Sequence, residues 1–452
     1  MATPDPDTFL SGVIEGFYGR PWSLAERVEL FDWMARWGLN TYLYAPKDDL
    51  KHRAIWREVY TVAEAAQLTQ LIDASRGHNL RFVYALSPGL DISYGDSRDI
   101  EHLQKRLEQM LALGCEHFAL LFDDIPDEVE TADIIRFGSL ASAQCHVANT
   151  MFRWTRARLP EAQFLFCPTA YCGRMAQRQL GGKDYLATVG RELSPEIDVF
   201  WTGPDIISRE ITVAEAREVQ TVLRRKPLIW DNLHANDYDG RRCFCGPYAG
   251  RPRELREHVS GLLVNPNSEF PLNYVPLRTL GEFVQGQGSW NSREGYLAAM
   301  REWLPRFATL REAVALEDLV LFGDCYYLPH EEGLEAEALY ELASRAISEG
   351  RAPSSPKLLL ERIFRLRDLC ARVTELRDRS LFHALSRRAW DLREEMDLIE
   401  QYVRFKCEGK SGVFRSDSHL PGTYRGGMVA RLQRLLIQQP DGAFVAQSGS
   451  SL

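Results

Sequence analysis

Short apolar runs recur along the first two-thirds of the chain, at residues 9–15, 40–46, 81–88, 117–124, 164–171, 198–203, 226–232 and 261–267. Runs of this length, apolar at successive positions, suit parallel strands covered on both faces. Helical periodicity fills the intervals. In residues 24–37, Leu30, Trp33, Met34 and Trp37 share one face, and residues 63–76 and 100–113 read similarly. Ser23 and Thr61 stand at N-cap positions with Glu26 and Glu64 three residues on, the spacing of a capping box. Strand–helix units repeated in this way predict an α/β fold, a (β/α)8 TIM barrel over residues 1–295. A doubly wound sheet is the alternative, but similar spacing throughout favours closure.

Beyond residue 295 the pattern changes to helix alone. Leu359, Ile363, Leu366, Cys370 and Val373 step by four and three, and Leu385, Ala389, Leu392, Met396, Ile399 and Val403 do the same. Two long amphipathic helices with a seam of coiled-coil type follow, within an all-α stalk domain at 296–440. Residues 351–355 read as the loop before the first, 408–425 as a polar connection and 428–438 as a shorter helix. The tail, 441–452, is expected to be disordered.

Composition narrows the class. At ~150 residues per domain, the 452 residues suggest about three domains, which the strand count reduces to a barrel and a helical appendage. Hydrophobic residues at 45% exclude a disordered chain. A net charge of −9 argues against nucleic acid and anionic membrane as partners. Nine cysteines are too sparse and odd in number for a disulfide scaffold. No apolar run approaches the ~20 residues that span a bilayer, and the acidic, proline-broken start at residues 1–7 does not read as a secretory signal. The expectation is a soluble cytoplasmic protein with reduced thiols.

Barrels of this kind carry their chemistry at the C-terminal ends of the strands. Those ends hold Gly16-Phe17-Tyr18, Lys47-Asp48-Asp49, Ser87-Pro88-Gly89, Asp123-Asp124, Pro168-Thr169-Ala170-Tyr171, Trp201-Thr202, Trp230-Asp231-Asn232 and Asn265-Pro266-Asn267. Asn, Asp and Gly suit ordinary turns; Lys, Tyr and Trp do not. The sharpest feature is the adjacent pair Asp123 and Asp124, flanked by apolar residues. Like charges this close cannot both ionise freely, so one carboxyl should keep its proton and the other stay ionised. That division supplies an acid and an electrostatic stabiliser.

Other readings compete for the pair. Acidic residues can meet a helix dipole, a role for which Asp127, Glu128 and Glu130 are better placed. Asp123-Asp124-Ile125-Pro126-Asp127 also has the D-D-x-x-D spacing of a magnesium site in some terpenoid synthases, although a β run leads into it and Pro126 interrupts it. A two-carboxylate glycosidase with its nucleophile on another strand is the third. Two segments favour sugar: residues 230–239 combine an aromatic face with amides and carboxylates, and residues 166–173 end strand five with a phenol. His234, Cys243 and Cys245 lack the partner ligands of a metal site, so no metal or cofactor is expected.

The segments Gly12-Val13-Ile14-Glu15-Gly16-Phe17-Tyr18-Gly19-Arg20-Pro21-Trp22-Ser23, Asn40–Asp49, Leu120–Ile125, Trp201–Pro204 and Trp230–Asp239 closely resemble the protein O-GlcNAcases, glycoside hydrolase family 84. The resemblance runs from about Phe9 to Tyr274 and resumes weakly at Tyr326-Tyr327-Leu328-Pro329 and Tyr424-Arg425-Gly426-Gly427-Met428. It implies retaining hydrolysis of β-linked N-acetylglucosamine, in which the sugar's own acetamido oxygen attacks the anomeric carbon and forms an oxazoline. On that reading Asp123 holds the acetamido N–H, and Asp124 protonates the leaving oxygen and then deprotonates water. Tyr171 bonds the acetamido oxygen and Trp230 packs on its methyl group. Gly16, Lys47, Asn232, Asp237 and Asn265 hold hydroxyls, while Tyr238 and Cys167 line the pocket. The family commonly has Glu where this chain has Ala170, which leaves the orientation of the strand-five loop open. The implied partners are O-GlcNAc-bearing proteins and a second copy of the chain, paired through the stalk. Seams closed within one chain are the alternative to that dimer. Free glycans or cell-wall fragments as substrates, and a non-catalytic GlcNAc-binding role, remain as other functions.

Overall fold

The computed structural model describes residues 8–126, 131–348, 356–410, 412–418 and 426–447. Residues 1–7, 127–130 with Asp127, Glu128 and Glu130, 349–355 with the expected loop, 411, the 419–425 part of the 408–425 connection with Tyr424 and Arg425, and 448–452 lie outside the described residues. The chain forms two compact units.

The first unit is a closed barrel of parallel strands in sequence order: β1 Leu10–Glu15, β2 Thr41–Tyr44, β3 Arg81–Leu86, β4 His117–Leu121, β5 Phe164–Cys167, β6 Asp198–Trp201, β7 Pro227–Asp231 and β8 Gly261–Val264. β1 closes the ring on β8, Leu10 opposite Gly261. Each strand is buried along almost its whole length, as continuous apolar runs require when helices cover the outside. Inside, Ile14, Leu43, Val83, Leu121, Leu165 and Leu263 belong to one apolar cluster that also takes in Cys167, Tyr171 and Trp230.

Local signals set the helix starts. α1 Leu24–Arg36 and α2 Val62–Gly77 begin at the capping boxes of Ser23 with Glu26 and Thr61 with Glu64. A third box, Thr212 with Glu215, opens the helix after β6, Val213–Leu223. After β7 the expected crossover helix is absent; a short 3-10 turn, Arg253–Glu257, takes its place. Pro252 precedes that turn, and the Arg253 and Arg256 side chains are spent on carbonyls at 282–284.

The second unit begins at Ser292 rather than 296, and it takes in 238–247 and 271–276 from sequence expected in the barrel. Its two long helices, Pro356–Arg372 and Arg379–Cys407, carry the expected seams, with Val373 in the 3-10 turn that follows the first. Every seam residue is at most 4% exposed within the single chain. The seams therefore need no second subunit to cover them. The tail departs from expectation as well. Helix Gly427–Gln433 stops short of 438, and Leu436–Gln438 pairs antiparallel with Phe444–Ala446 inside the segment expected to be disordered. Asp441-Gly442, with the glycine at φ 81°, supplies the turn, and Phe444 packs on Phe414 at 6.1 Å between ring centres. No helix among the described residues is long and apolar enough to cross a membrane.

Candidate active site

The end of β4 delivers the paired aspartates in two different environments. Phe122 N–H still donates to the Cys167 carbonyl, which continues the ladder. Two residues later the chain turns sharply, with Asp124 at φ 50°, a left-handed conformation that costs a non-glycine residue of order 1 kcal/mol. Asp123 is buried, at 6% exposure, while Asp124 stands exposed.

Lys47, carried just past the end of β2, donates through Nζ to Asp123 Oδ2 at 2.5 Å, and both side chains are nearly free of solvent. Burial alone would raise the Asp123 pKa. Lys47, with Arg53 behind it, outweighs that and holds the carboxyl below the ordinary aspartate range. His52 is itself kept neutral: burial and the Lys47 charge lower its pKa to about 4. Its Nδ1 lies 2.8 Å from the Ala85 carbonyl, which can only accept, so Nδ1 carries the proton. Asp123 is thus held ionised, and the cause is a lysine 76 residues away in sequence.

Asp124 accepts from two phenols, Tyr171 on Oδ1 at 2.8 Å and Tyr18 on Oδ2 at 3.2 Å. Burial and the Asp124 charge push the Tyr171 pKa far up, so the phenol is a neutral donor. The strand-five loop is fixed by the neighbours of Ala170: Thr169 N–H donates to Tyr185, Gln144 donates to Thr169 Oγ1, and Thr202 N–H donates to the Tyr171 carbonyl. Ala170 itself is fully buried.

The remaining wall comes from β1, β7 and β8. A side chain at Gly16 would meet the Trp230 indole at 2.6 Å, so only glycine lets the backbone lie against that ring. Trp230 Nε1 and Asn265 Nδ2 both donate to Asn232 Oδ1 at 3.0 Å, and Asn232 Nδ2 donates to the Ile206 carbonyl. Asp237 Oδ2 accepts from Tyr18 N–H at 2.9 Å, which ties the Gly16–Tyr18 loop to the far side of the mouth. Cys167 sits in the apolar cluster with Tyr171 and Trp230, its thiol held protonated by burial and by Asp123.

Of the expected site residues, Gly16, Lys47, Asp123, Asp124, Cys167, Tyr171, Trp230, Asn232, Asp237 and Asn265 belong to the barrel unit, joined through these contacts. Tyr238, 46% exposed, begins the first segment of the second unit and is not assigned to this cluster. The sequence reading passed over Tyr18, His52 and Arg53 as site residues. Tyr18 was legible as an aromatic at a strand end, whereas His52 and Arg53 lie in a loop with no periodic signal.

Two buried acceptors, Asp123 Oδ1 and Asn265 Oδ1, have no donor among the described residues. Such groups cost about 1–3 kcal/mol each when unsatisfied. A partner for these oxygens must supply hydrogen-bond donors, which suits a neutral polar group better than an anion. No group of three or more His, Cys, Asp or Glu side chains among the described residues could hold a metal ion.

The beta-N-acetylglucosaminidase family model matches residues 11–319. The protein O-GlcNAcases of Rattus norvegicus and Mus musculus are each 50% identical to this chain over 277 residues, 61% of this chain and 30% of theirs. The chain thus spans under a third of the length of these curated relatives. Among solved structures, a variant of the Thermobaculum terrenum O-GlcNAc hydrolase superposes with TM-score 0.75 at 27% identity, covering 89% of this chain and 88% of that one. CpGH84B, at 23% identity and TM-score 0.75 over 88% of this chain and 69% of its own, shares the fold. Matched over more than half its length, the chain belongs to the beta-N-acetylglucosaminidase family.

Proposed function

We propose that this protein is a retaining β-N-acetylglucosaminidase that removes O-linked GlcNAc from proteins by substrate-assisted catalysis. The observation that carries the reading is the unequal pair. Asp123 is ionised on Lys47 with its second oxygen open to a donor, and the adjacent Asp124 sits exposed on two phenols. In the usual two-carboxylate glycosidases the pair flanks the scissile bond, one as acid and the other as nucleophile or as base for water. Two from one strand end suit a different division of labour.

On this reading Asp123 Oδ1 accepts the acetamido N–H and balances the positive charge that grows as the acetamido oxygen attacks the anomeric carbon. Asp124 gives its proton to the leaving oxygen as that bond breaks, then takes one from the water that opens the oxazoline. Tyr171 has one phenolic proton. Turning it to the acetamido oxygen releases Asp124 Oδ1, so the acid is freed as the nucleophile is aligned. Asn265 Oδ1 accepts from a sugar hydroxyl, and Gly16, Lys47, Asn232 and Asp237 hold the others. Cys167 and Trp230 close the acetyl end.

Hydrolysis of a fluorogenic β-GlcNAc, compared with its mono-, di- and trifluoroacetyl analogues, tests the chemistry. Each fluorine weakens the acetamido nucleophile, so the rate is expected to fall stepwise; a flat series would exclude assistance. Release of GlcNAc from a modified peptide but not from chitobiose would separate the protein substrate from free glycans. A chain that binds GlcNAc without turnover would instead be a binding protein.

The family likeness also implies a homodimer. With both seams closed inside the chain, Phe364 and Trp390, 67% and 54% exposed on the two long helices, are apolar groups left to join copies. Sedimentation is expected to give a two-chain mass for wild type and a one-chain mass for Phe364→Glu. A one-chain wild type would refute the dimer.

A further inference from the structure

We propose that Arg53 is a positioning residue for the aspartate pair, clamping the backbone on either side of Asp124 so that both carboxyls reach one site. The inference rests on the functional reading above and adds a residue to it. In an extended strand, adjacent side chains point to opposite faces. Had β4 continued straight, Asp123 and Asp124 could not serve the same substrate. The left-handed turn at Asp124, φ 50°, removes that alternation: Asp123 meets Lys47, and Asp124 meets Tyr171 and Tyr18.

One side chain from the loop after β2 is bonded to both sides of the turn. Arg53 is 7% exposed. Its Nη2 donates to the Asp124 carbonyl at 2.6 Å and its Nη1 more weakly to the Asp123 carbonyl at 3.4 Å. Those oxygens belong to the two peptide planes that meet at the Asp124 Cα. A planar guanidinium bonded to both restrains φ and ψ together, and a charged donor makes the shorter bond a strong one. Lysine, with a single tetrahedral head, cannot reproduce the fork. Lys47 is the larger influence on the Asp123 charge, so the part left to Arg53 is chiefly geometric.

The test uses the full chain with aryl β-GlcNAc substrates whose leaving groups range from methylumbelliferyl to dinitrophenyl. Arg53→Gln is expected to lower kcat on the poor leaving group roughly 10- to 100-fold, the scale of a misplaced catalytic group, with KM little changed. On the dinitrophenyl glycoside, which leaves without a proton, kcat/KM, which reports the bond-breaking step, is expected to stay near wild type. Arg53→Lys keeps the charge but not the fork. It is expected to show the same leaving-group dependence, and it carries the test if the glutamine variant does not fold. In an Asp124→Asn background, Arg53→Gln is expected to add little further loss, because the clamp acts through the acid. Equal loss on all leaving groups, additive losses in the double variant, or full activity would each overturn the positioning role. A wild type inactive on every glycoside would instead overturn the functional reading, and the clamp with it.

Discussion

Asp124→Asn is expected to lower kcat/KM for a methylumbelliferyl β-GlcNAc by roughly 10²- to 10⁴-fold, the range a positioned general acid supplies. The substitution is conservative in shape. An asparagine oxygen can still accept from Tyr171, and residue 124 is exposed, so folding should be unaffected. What is lost is the proton. The loss should therefore shrink as the leaving group becomes a better anion, approaching wild type for the dinitrophenyl glycoside in the first, bond-breaking step. The water-activating second step has no such relief and should then limit turnover, visible as a burst of released phenolate. Measuring kcat/KM and burst amplitude across the series checks both halves of the assignment. Full activity on the methylumbelliferyl substrate would remove Asp124 from the mechanism.

The second large effect lies in the helical unit. Glu395, on helix Arg379–Cys407, is 1% exposed; one oxygen accepts from Gln433 Nε2 at 2.8 Å and the other has no partner among the described residues. Burial, with lesser contributions from Asp391 and Glu394, outweighs the Gln433 bond and raises its pKa from 4.5 to about 7. The folded unit thus holds a proton that the unfolded chain gives up more readily. Below the unfolded value the group is neutral in both states and costs nothing. Between 4.5 and about 7 the stability falls as pH rises, and above that the full cost remains, about 3 kcal/mol at 1.36 kcal/mol per pH unit. Glu395→Gln keeps the shape and the acceptor but cannot ionise. Hydrogen exchange along residues 379–407 is expected to show the variant near wild type at pH 5 and more stable by about that amount at pH 8. A difference that does not change with pH would refute the buried acid.

Much of the barrel was legible because its causes are local. A strand buried on both faces must be apolar at successive positions, and a capping box is a four-residue pattern, so the strands and the starts of α1 and α2 could be read directly. The Thr212–Glu215 box was equally legible by the same rule. The missing helix after β7 was not, because the deciding partners of Arg253 and Arg256 are carbonyls some thirty residues on. The hairpin at 436–446 was hidden for a similar reason: its Phe444 packs on Phe414, a contact that no local pattern announces.

The sequence by itself determined the fold class, the seam residues of the two long helices and the adjacency of Asp123 and Asp124, since periodicity and neighbour charge act over a few residues. Tertiary structure decided that Asp123 is held ionised and that Asp124 meets Tyr171 and Tyr18. Closure of the barrel brings Lys47 across 76 residues onto Asp123, and Arg53 across 71 onto the Asp124 carbonyl. It also decided that the seams close within one chain. Coulomb forces and hydrogen bonds act over a few ångströms of space, whatever the separation along the chain, and only the folded barrel sets those distances.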